Sequence, residues 1–204
     1  MKIANALGCI LPLLCCGMPK IAFAQDEVLL TNGQTIKGTI TMLRTSFVRI
    51  RPIGTNKIET HRTDEINYLH RGNSTQTPYK YYYSKKMVSV NSNEAATIPK
   101  LLQLRAWGKI RTYSYIEDTG THPVIRYFIE KDDSGLIFIG FTSGAFNIQA
   151  DPMTAEEITR QVALLFEDNP GIKSRFEGDE KKYKRKKIQL YVKEYNDWFK
   201  SVHQ

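Results

Sequence analysis

The sequence predicts an α+β fold: an N-terminal small antiparallel β-barrel, followed by a three- to four-stranded antiparallel sheet covered by two C-terminal helices. Three patterns predict it. Between residues 27 and 70, about five short runs of alternating apolar and polar side chains are separated by turn residues, as in a meander or small barrel. Between Ile110 and Thr142 lie longer runs with the same period of two. From Thr154 onward the apolar spacing changes to three and four, the period of a helix. The expected organisation is a leader over 1–24, a barrel module over 25–70, a linker over 71–99 and an α+β module over 100–204.

The leader opens on Met1-Lys2, continues through an apolar run from Ile3 to Met18 and exits through Ala22-Phe23-Ala24. A positive start, an apolar middle and a small-x-small exit make a secretory signal peptide, cut between Ala24 and Gln25. Asn5 and Pro12 break the run, which falls short of the ~20 continuous apolar residues of a comfortable membrane span. All three cysteines, Cys9, Cys15 and Cys16, lie inside it. The exported chain, periplasmic or at the cell surface, therefore carries no thiol and folds by burial alone. A chain of about 180 residues can do this, since it buries roughly 70% of its unfolded surface.

In the first module Val28-Leu29-Leu30 is a strand, and Asn32-Gly33 is a hairpin turn that needs positive φ. From Thr35 to Met42, Ile36, Ile40 and Met42 face inward while Lys37, Thr39 and Thr41 face outward. Gly38 falls on the inward set, which marks a bend or a close backbone approach. Val48 and Ile50 point in, and Arg49 and Arg51 point out. Lys57–Arg62 and Glu65–Leu69 complete the set. The runs Val28–Gly33, Ile36–Ile40 and Val48–Ile50 resemble the start of an SH3-like or Sm-like small barrel. Sm proteins bind uridine-rich RNA through an Asp-x-apolar-Asn segment after the second strand. Here that place holds Arg44-Thr45-Ser46-Phe47, with neither acid nor amide, so the resemblance implies a fold and no RNA site.

Arg71 to Pro78 is polar and rich in breakers, hence a linker, and Asn73-Ser74-Thr75 matches a glycosylation acceptor. Tyr79 to Lys86 interleaves tyrosines with cations. It reads either as a stacking surface for bases or sugar rings or as an edge or docking strand that buries tyrosine. In the second module Ile110–Ile116 and Val124–Lys131 are strands, Asp132-Asp133-Ser134-Gly135 is a turn, and the apolar Leu136–Thr142 is a central strand covered on both faces. Thr154 to Glu157 is a capping box that starts a helix carrying Ile158, Val162, Leu165 and Phe166, and Asn169-Pro170 ends it. A last helix from Glu180 to about Val202 carries the stripe Ile188, Tyr191, Val192, Tyr195, Trp198, Phe199 and Val202. The pattern Leu30, Asn32, Gly33, Ile36, Gly38, with Tyr127–Lys131 and Tyr195-Asn196, resembles uncharacterised exported proteins of Bacteroidetes-type Gram-negative bacteria. That resemblance implies a periplasmic or surface location and names no activity.

Losing Lys2 and Lys20 with the leader takes 29 basic side chains to 27 against 21 acidic ones, a net +6. Moderate positive charge favours anionic partners such as envelope polysaccharide or lipid head groups. The densest cations are Lys181, Lys182, Lys184, Arg185, Lys186 and Lys187, at the expected start of the last helix, where positive charge opposes the macrodipole. With Arg49 and Arg51 these are the candidate anion-binding residues. No cofactor or metal is expected: the four histidines are scattered, and His61 and His70, which close the barrel and could meet in space, fall short of the three or four placed ligands a metal needs. No nucleophile elbow or Walker loop is present. The expectation is a non-enzymatic interaction or envelope-associated protein that engages a protein or envelope component, with nucleic acid not indicated. The alternatives are a module for anionic polymer or lipid head groups and a hydrolase whose carboxylates pair only in the fold. Mass spectrometry of the exported protein should find Gln25 at the N-terminus. Finding Met1, or a lipid on the chain, would overturn the leader.

Overall fold

Period-two patterning makes strands, and here each strand pairs antiparallel with the next partner available. The computed structural model describes residues 25–72, 80–88, 97–117, 123–143 and 154–203. The leader and the Asn73 triplet lie outside these described residues. The strands are β1 (Asp26–Leu30), β2 (Thr35–Leu43), β3 (Phe47–Pro52), β4 (Glu59–Arg62), β5 (Ile66–Arg71), β6 (Lys80–Val88), β7 (Thr97–Ala106), β8 (Ile110–Glu117), β9 (Val124–Lys131) and β10 (Ile137–Ser143). The helices are α1 (Ala155–Leu164), α2 (Pro170–Gly178) and α3 (Arg185–His203). Among the described residues no helix is long and apolar enough to cross a membrane.

The strands form one ten-stranded sheet in the order β10-β9-β8-β7-β6-β5-β1-β2-β3-β4. This overturns the expected small barrel with a separate three- to four-stranded sheet. β5 pairs with β1 on one edge and with β6 on the other, so the first five strands do not close on themselves. Alternation reports which face a strand buries but not what its second edge pairs with. The segment read as a linker holds β6, which pairs with β5 and β7 in the middle of the sheet.

The N-terminal half nevertheless curls. Val28, Ile36, Ile40, Val48, Ile50, Ile66 and Leu69 share one buried cluster with Leu101 of β7. The carbonyl of Thr45, at the β2–β3 tip, accepts from the Leu101 amide at 3.3 Å and from the Thr63 hydroxyl at 2.9 Å. Ser84 of β6 donates to the Thr63 carbonyl at 2.8 Å. β2 bends at an irregularity between Ile40 and Met42, and the buried Asp26 carboxylate accepts the Ile40 amide there at 2.6 Å. Gly38 allows β3 to approach closely two residues earlier, since a Cβ at that position would lie 2.1 Å from the Arg51 carbonyl oxygen.

The three helices cover one face of β8–β10. Ile110, Ile129 and Ile139 from the sheet meet Ile158, Val162, Phe166, Ile172, Phe176, Ile188, Val192 and Tyr195. Phe166 packs edge-on against Phe176 and tilted against Tyr195. Asn196 of α3 acts as a strand partner, accepting from the Ile110 amide and donating to its carbonyl, both at 2.8 Å. Thr154 caps α1 through the Glu157 amide at 3.1 Å, but the Glu157 carboxylate turns to Arg160 and Gln161, so the expected reciprocal box is half made. Two helices were expected and three are present. Asn169 caps α2 by accepting from the Ile172 amide at 2.9 Å, and Pro170 takes the first helical position, where its missing N–H costs nothing. The Asn-Pro pair expected to end the first helix starts the second instead, since α1 already stops at Leu164. β10 is an edge strand rather than a central one; its apolar character comes from α1 and α3 on one face and from Phe128 against Phe138 on the other.

Gly38→Ala should lower stability by about 1–3 kcal/mol, the range for forced overpacking. The change would appear as a lower urea midpoint with an unchanged slope. A midpoint equal to that of the parent would contradict the close approach of β2 to β3.

Candidate functional site

The cations of 181–187 do not all open a helix, because α3 begins only at Arg185. Lys181 to Lys184 belong to a turn organised by Asp179. One Asp179 oxygen accepts from the Lys181 amide at 2.8 Å, and the other meets Lys187 at 3.2 Å and the Tyr191 hydroxyl at 3.3 Å. The Lys181 amide and then Lys187 hold its carboxyl below the ordinary 3.8. Lys182 donates to the Glu177 carbonyl, and Arg185 lies 4.0 Å over the Tyr127 ring of β9. Lys182, Arg185 and Lys187 are thus committed to the fold. Lys181, Lys184 and Lys186 are exposed, and none has an ion pair among the described residues. Tyr183 stands among them, 48% exposed. α3 has no acid in its first turn to offset these charges. A cleft of about 340 Å³ opens beside the turn, lined by Glu156, Thr159, Arg160, Glu177, Lys182 and Tyr183.

Arg49 and Arg51 are exposed on one face of β3, with the Arg49 guanidinium 5.5 Å from the centre of the Phe47 ring. The fold does not bring them to the 181–187 run. β3 lies next to one edge of the sheet, whereas α3 packs on β8 and β10 towards the other. His61 and His70 do not join either. His61 sits on β4 near Glu59 and Glu65, and His70 stacks on Tyr81 of β6 at 4.8 Å. Among the described residues no group of three or more His, Asp or Glu is placed to hold a metal ion.

Sequence reasoning missed a buried charge cluster on the sheet face opposite the helices. Glu130 of β9 is 2% exposed. It receives Lys85 of β6 at 2.8 Å, Arg111 of β8 at 3.5 Å and the Tyr113 hydroxyl at 3.2 Å. Asp133, in the β9–β10 turn, takes Arg111 at 2.7 Å and Lys85 at 3.0 Å. Burial, and then the Glu130 charge, push the Tyr113 phenol far above its ordinary value. The sequence signal was available: Glu130 shares the inward register of Phe128, and a charge at such a position needs partners. The cluster offers little for acid–base catalysis. Every Glu130 oxygen is engaged, and Glu130 lines neither the α1 cleft nor the cleft of about 240 Å³ between β7–β8 and α3. The other buried acid among the described residues, Asp26, belongs to the N-terminal core and is bound to a backbone amide.

Comparison with protein-family models, with curated proteins and with solved structures finds no match to this chain. The functional reading therefore rests on its own geometry.

Lys85 first, and then Arg111, hold Asp133 below the ordinary 3.8. Burial works against the Asp168 anion, but the Tyr195 hydroxyl at 2.7 Å and Lys131 at 2.9 Å outweigh it. A carboxylate with a depressed folded pKa contributes stability that is complete above its unfolded pKa and is lost as pH falls through the folded one. Thermal midpoints should therefore hold down to about pH 4 and then drop as Asp133, Asp168 and Asp179 protonate. Asp133→Asn and Asp168→Asn should each make that drop shallower. A midpoint that stays level from pH 5 to pH 2 would contradict these pairings.

Proposed function

We propose that this chain is an exported, non-enzymatic binding module that docks on an anionic envelope surface through the turn 181–184 and the first turn of α3. One observation supports the reading above the others. Of six cations in the run, three serve the fold and three do not: Lys181 and Lys184 in the turn and Lys186 in the first turn of α3 are exposed and make no ion pair among the described residues. Such a group raises the local concentration of anionic partners, and each lysine near an anionic bilayer contributes about 1 kcal/mol. Among the described residues the buried carboxylates Asp26 and Glu130 serve separate clusters and line neither of the two clefts, which supports a binding role over a hydrolase. The export and the family resemblance described above are part of the same proposal.

Replacing Lys181, Lys184 and Lys186 together by alanine should leave the thermal midpoint near that of the parent. It should weaken binding to vesicles rich in anionic lipid by on the order of 100-fold, as three contributions of about 1 kcal/mol imply. Elution from heparin should move to lower salt. Unchanged heparin elution together with unchanged vesicle binding would refute the site.

A further inference from the structure

The face of the sheet opposite the helices carries a row of aromatic rings that the basic turn does not use. Tyr68 of β5 and Tyr83 of β6 are register partners, as are His70 and Tyr81, so strand alternation puts all four side chains on one face. The Tyr68 and Tyr83 ring centres lie 5.9 Å apart with planes 34° from parallel. Trp107, at the β7–β8 turn, continues the row, 6.4 Å from Tyr83 and 31° from parallel to it. Tyr81 stacks on His70 at 4.8 Å and 18°. Tyr83 rests edge-on against the buried Tyr113, which fixes its orientation from below. Trp107 is 68% exposed and Tyr81 is 40% exposed.

Ordinary core packing does not account for these exposures. An indole left mostly in water beside a tilted phenol that itself neighbours a second one presents flat apolar faces with polar rims. Such rings take ligands that are themselves flat on one side and hydroxylated at the edge. Charge decides among the candidates. A nucleic acid needs free cations to follow its phosphates. Here the two cations that border the row, Lys85 and Arg111, are already neutralised by Glu130 and Asp133. Further along the same face, Lys37 is drawn towards Glu27 at 4.0 Å. Lys100, the register partner of Lys85, and Arg49 and Arg51 of β3, three strands from β5, also lie on this face, but the cations that border the row itself are the neutralised ones, which favours a neutral ring ligand over a polyanion.

We infer that Trp107, Tyr83, Tyr68 and Tyr81 form a stacking platform for a neutral saccharide chain, with successive sugar rings lying on successive aromatic faces. This site is separate from the lysine turn. The turn belongs to the helical layer, where Arg185 covers Tyr127 on the other side of the sheet. Binding here is contact-driven and insensitive to salt, whereas binding at the turn is driven by charge.

The test uses the full mature chain and its intrinsic fluorescence. The chain has two tryptophans, and the other, Trp198, packs on Tyr195 in the helical layer and serves as an internal control. Soluble hexamers of glucose, mannose and N-acetylglucosamine are titrated at low and at 0.5 M salt. The expected result is saturable binding of at least one hexamer, with a change in Trp107 emission and the same affinity at both salts. Trp107→Ala should weaken that binding by about 5- to 150-fold, the range for losing one stacked ring. Trp107→Phe should recover part of it, and Tyr81→Ala should weaken it independently. Both altered side chains are exposed, and circular dichroism checks that the variants fold. The triple lysine variant should bind the hexamer normally, so failure of the platform and failure of the lysine turn give different results. The inference is overturned if none of the hexamers saturates, if Trp107→Ala and Tyr81→Ala leave affinity unchanged, or if high salt abolishes binding. Tighter binding of a single-stranded oligonucleotide or of an aromatic-rich peptide at the same residues would also overturn it.

Discussion

The pleat of β6 is the constraint on which the arrangement depends. Successive side chains on a strand must point to opposite faces. Tyr82 accordingly turns into the N-terminal core beside Leu69 and Leu101, while Tyr83 and Lys85 turn to the other face. A slip of one residue in pairing with β5 would exchange these sets, placing Lys85 towards an apolar cluster and Tyr82 in water. The two halves of the molecule are therefore not independent modules joined by a tether. They share a strand whose register both require, and Ser84 reinforces it by reaching the Thr63 carbonyl at 2.8 Å.

Sheet twist explains how Lys85 can meet Glu130 at all. In register, Lys85 lies opposite Lys100, and Glu130 lies opposite Arg111, so on a flat sheet the two would sit at distant corners. Neighbouring strands rotate by roughly 20–25°, and three steps from β6 to β9 add up to a large turn that folds one diagonal of the face onto itself. Leu102, Tyr113 and Phe128 fill the hollow so formed. Burying a lone carboxylate there would be costly, and removing one partner from such a set typically costs about 3–5 kcal/mol. Two cations and a phenol offset that cost. They also tie the β9–β10 turn, where Asp132 and Asp133 adopt positive φ of 49° and 58°. Asp tolerates that region better than most side chains, and Lys109 holds Asp132 at 2.6 Å.

Local chemistry was legible in the residues. Alternation located β1 to β5 and β8 to β10 to within a few residues, Asn32-Gly33 marked a turn with Gly33 at φ 85°, and Gly38 signalled the close approach of the Arg51 carbonyl. The apolar spacing of α1 and α3 named their buried faces, apart from Val202, which is 55% exposed. What was not legible was pairing. Nothing in the alternation of tyrosines and cations from Tyr79 to Lys86 states that both edges of β6 are occupied, and an apolar strand such as β10 looks central whether strands or helices cover it. At the candidate site, counting cations overstated the free charge, because composition does not reveal that Asp179, the Glu177 carbonyl and the Tyr127 ring each claim one. Glu130 went unnoticed for the converse reason: its partners come from β6 and β8, distant in sequence from its own strand.

The two candidate surfaces differ in the range of the force they use, and this orders their roles. Attraction to the lysine turn extends about one Debye length, roughly 8 Å at physiological salt, and discriminates little between one anionic surface and another. Ring stacking acts only at contact, so the platform of Trp107, Tyr83, Tyr68 and Tyr81 contributes nothing to encounter but depends on the shape of what it holds. The surfaces lie on opposite sides of one sheet, so no small molecule can span them. Joint engagement requires either an extended polymer that wraps the sheet edge or two separate partners. In the second case the rigid sheet between them, held in register through β6, acts as a spacer that fixes how one component stands relative to the other.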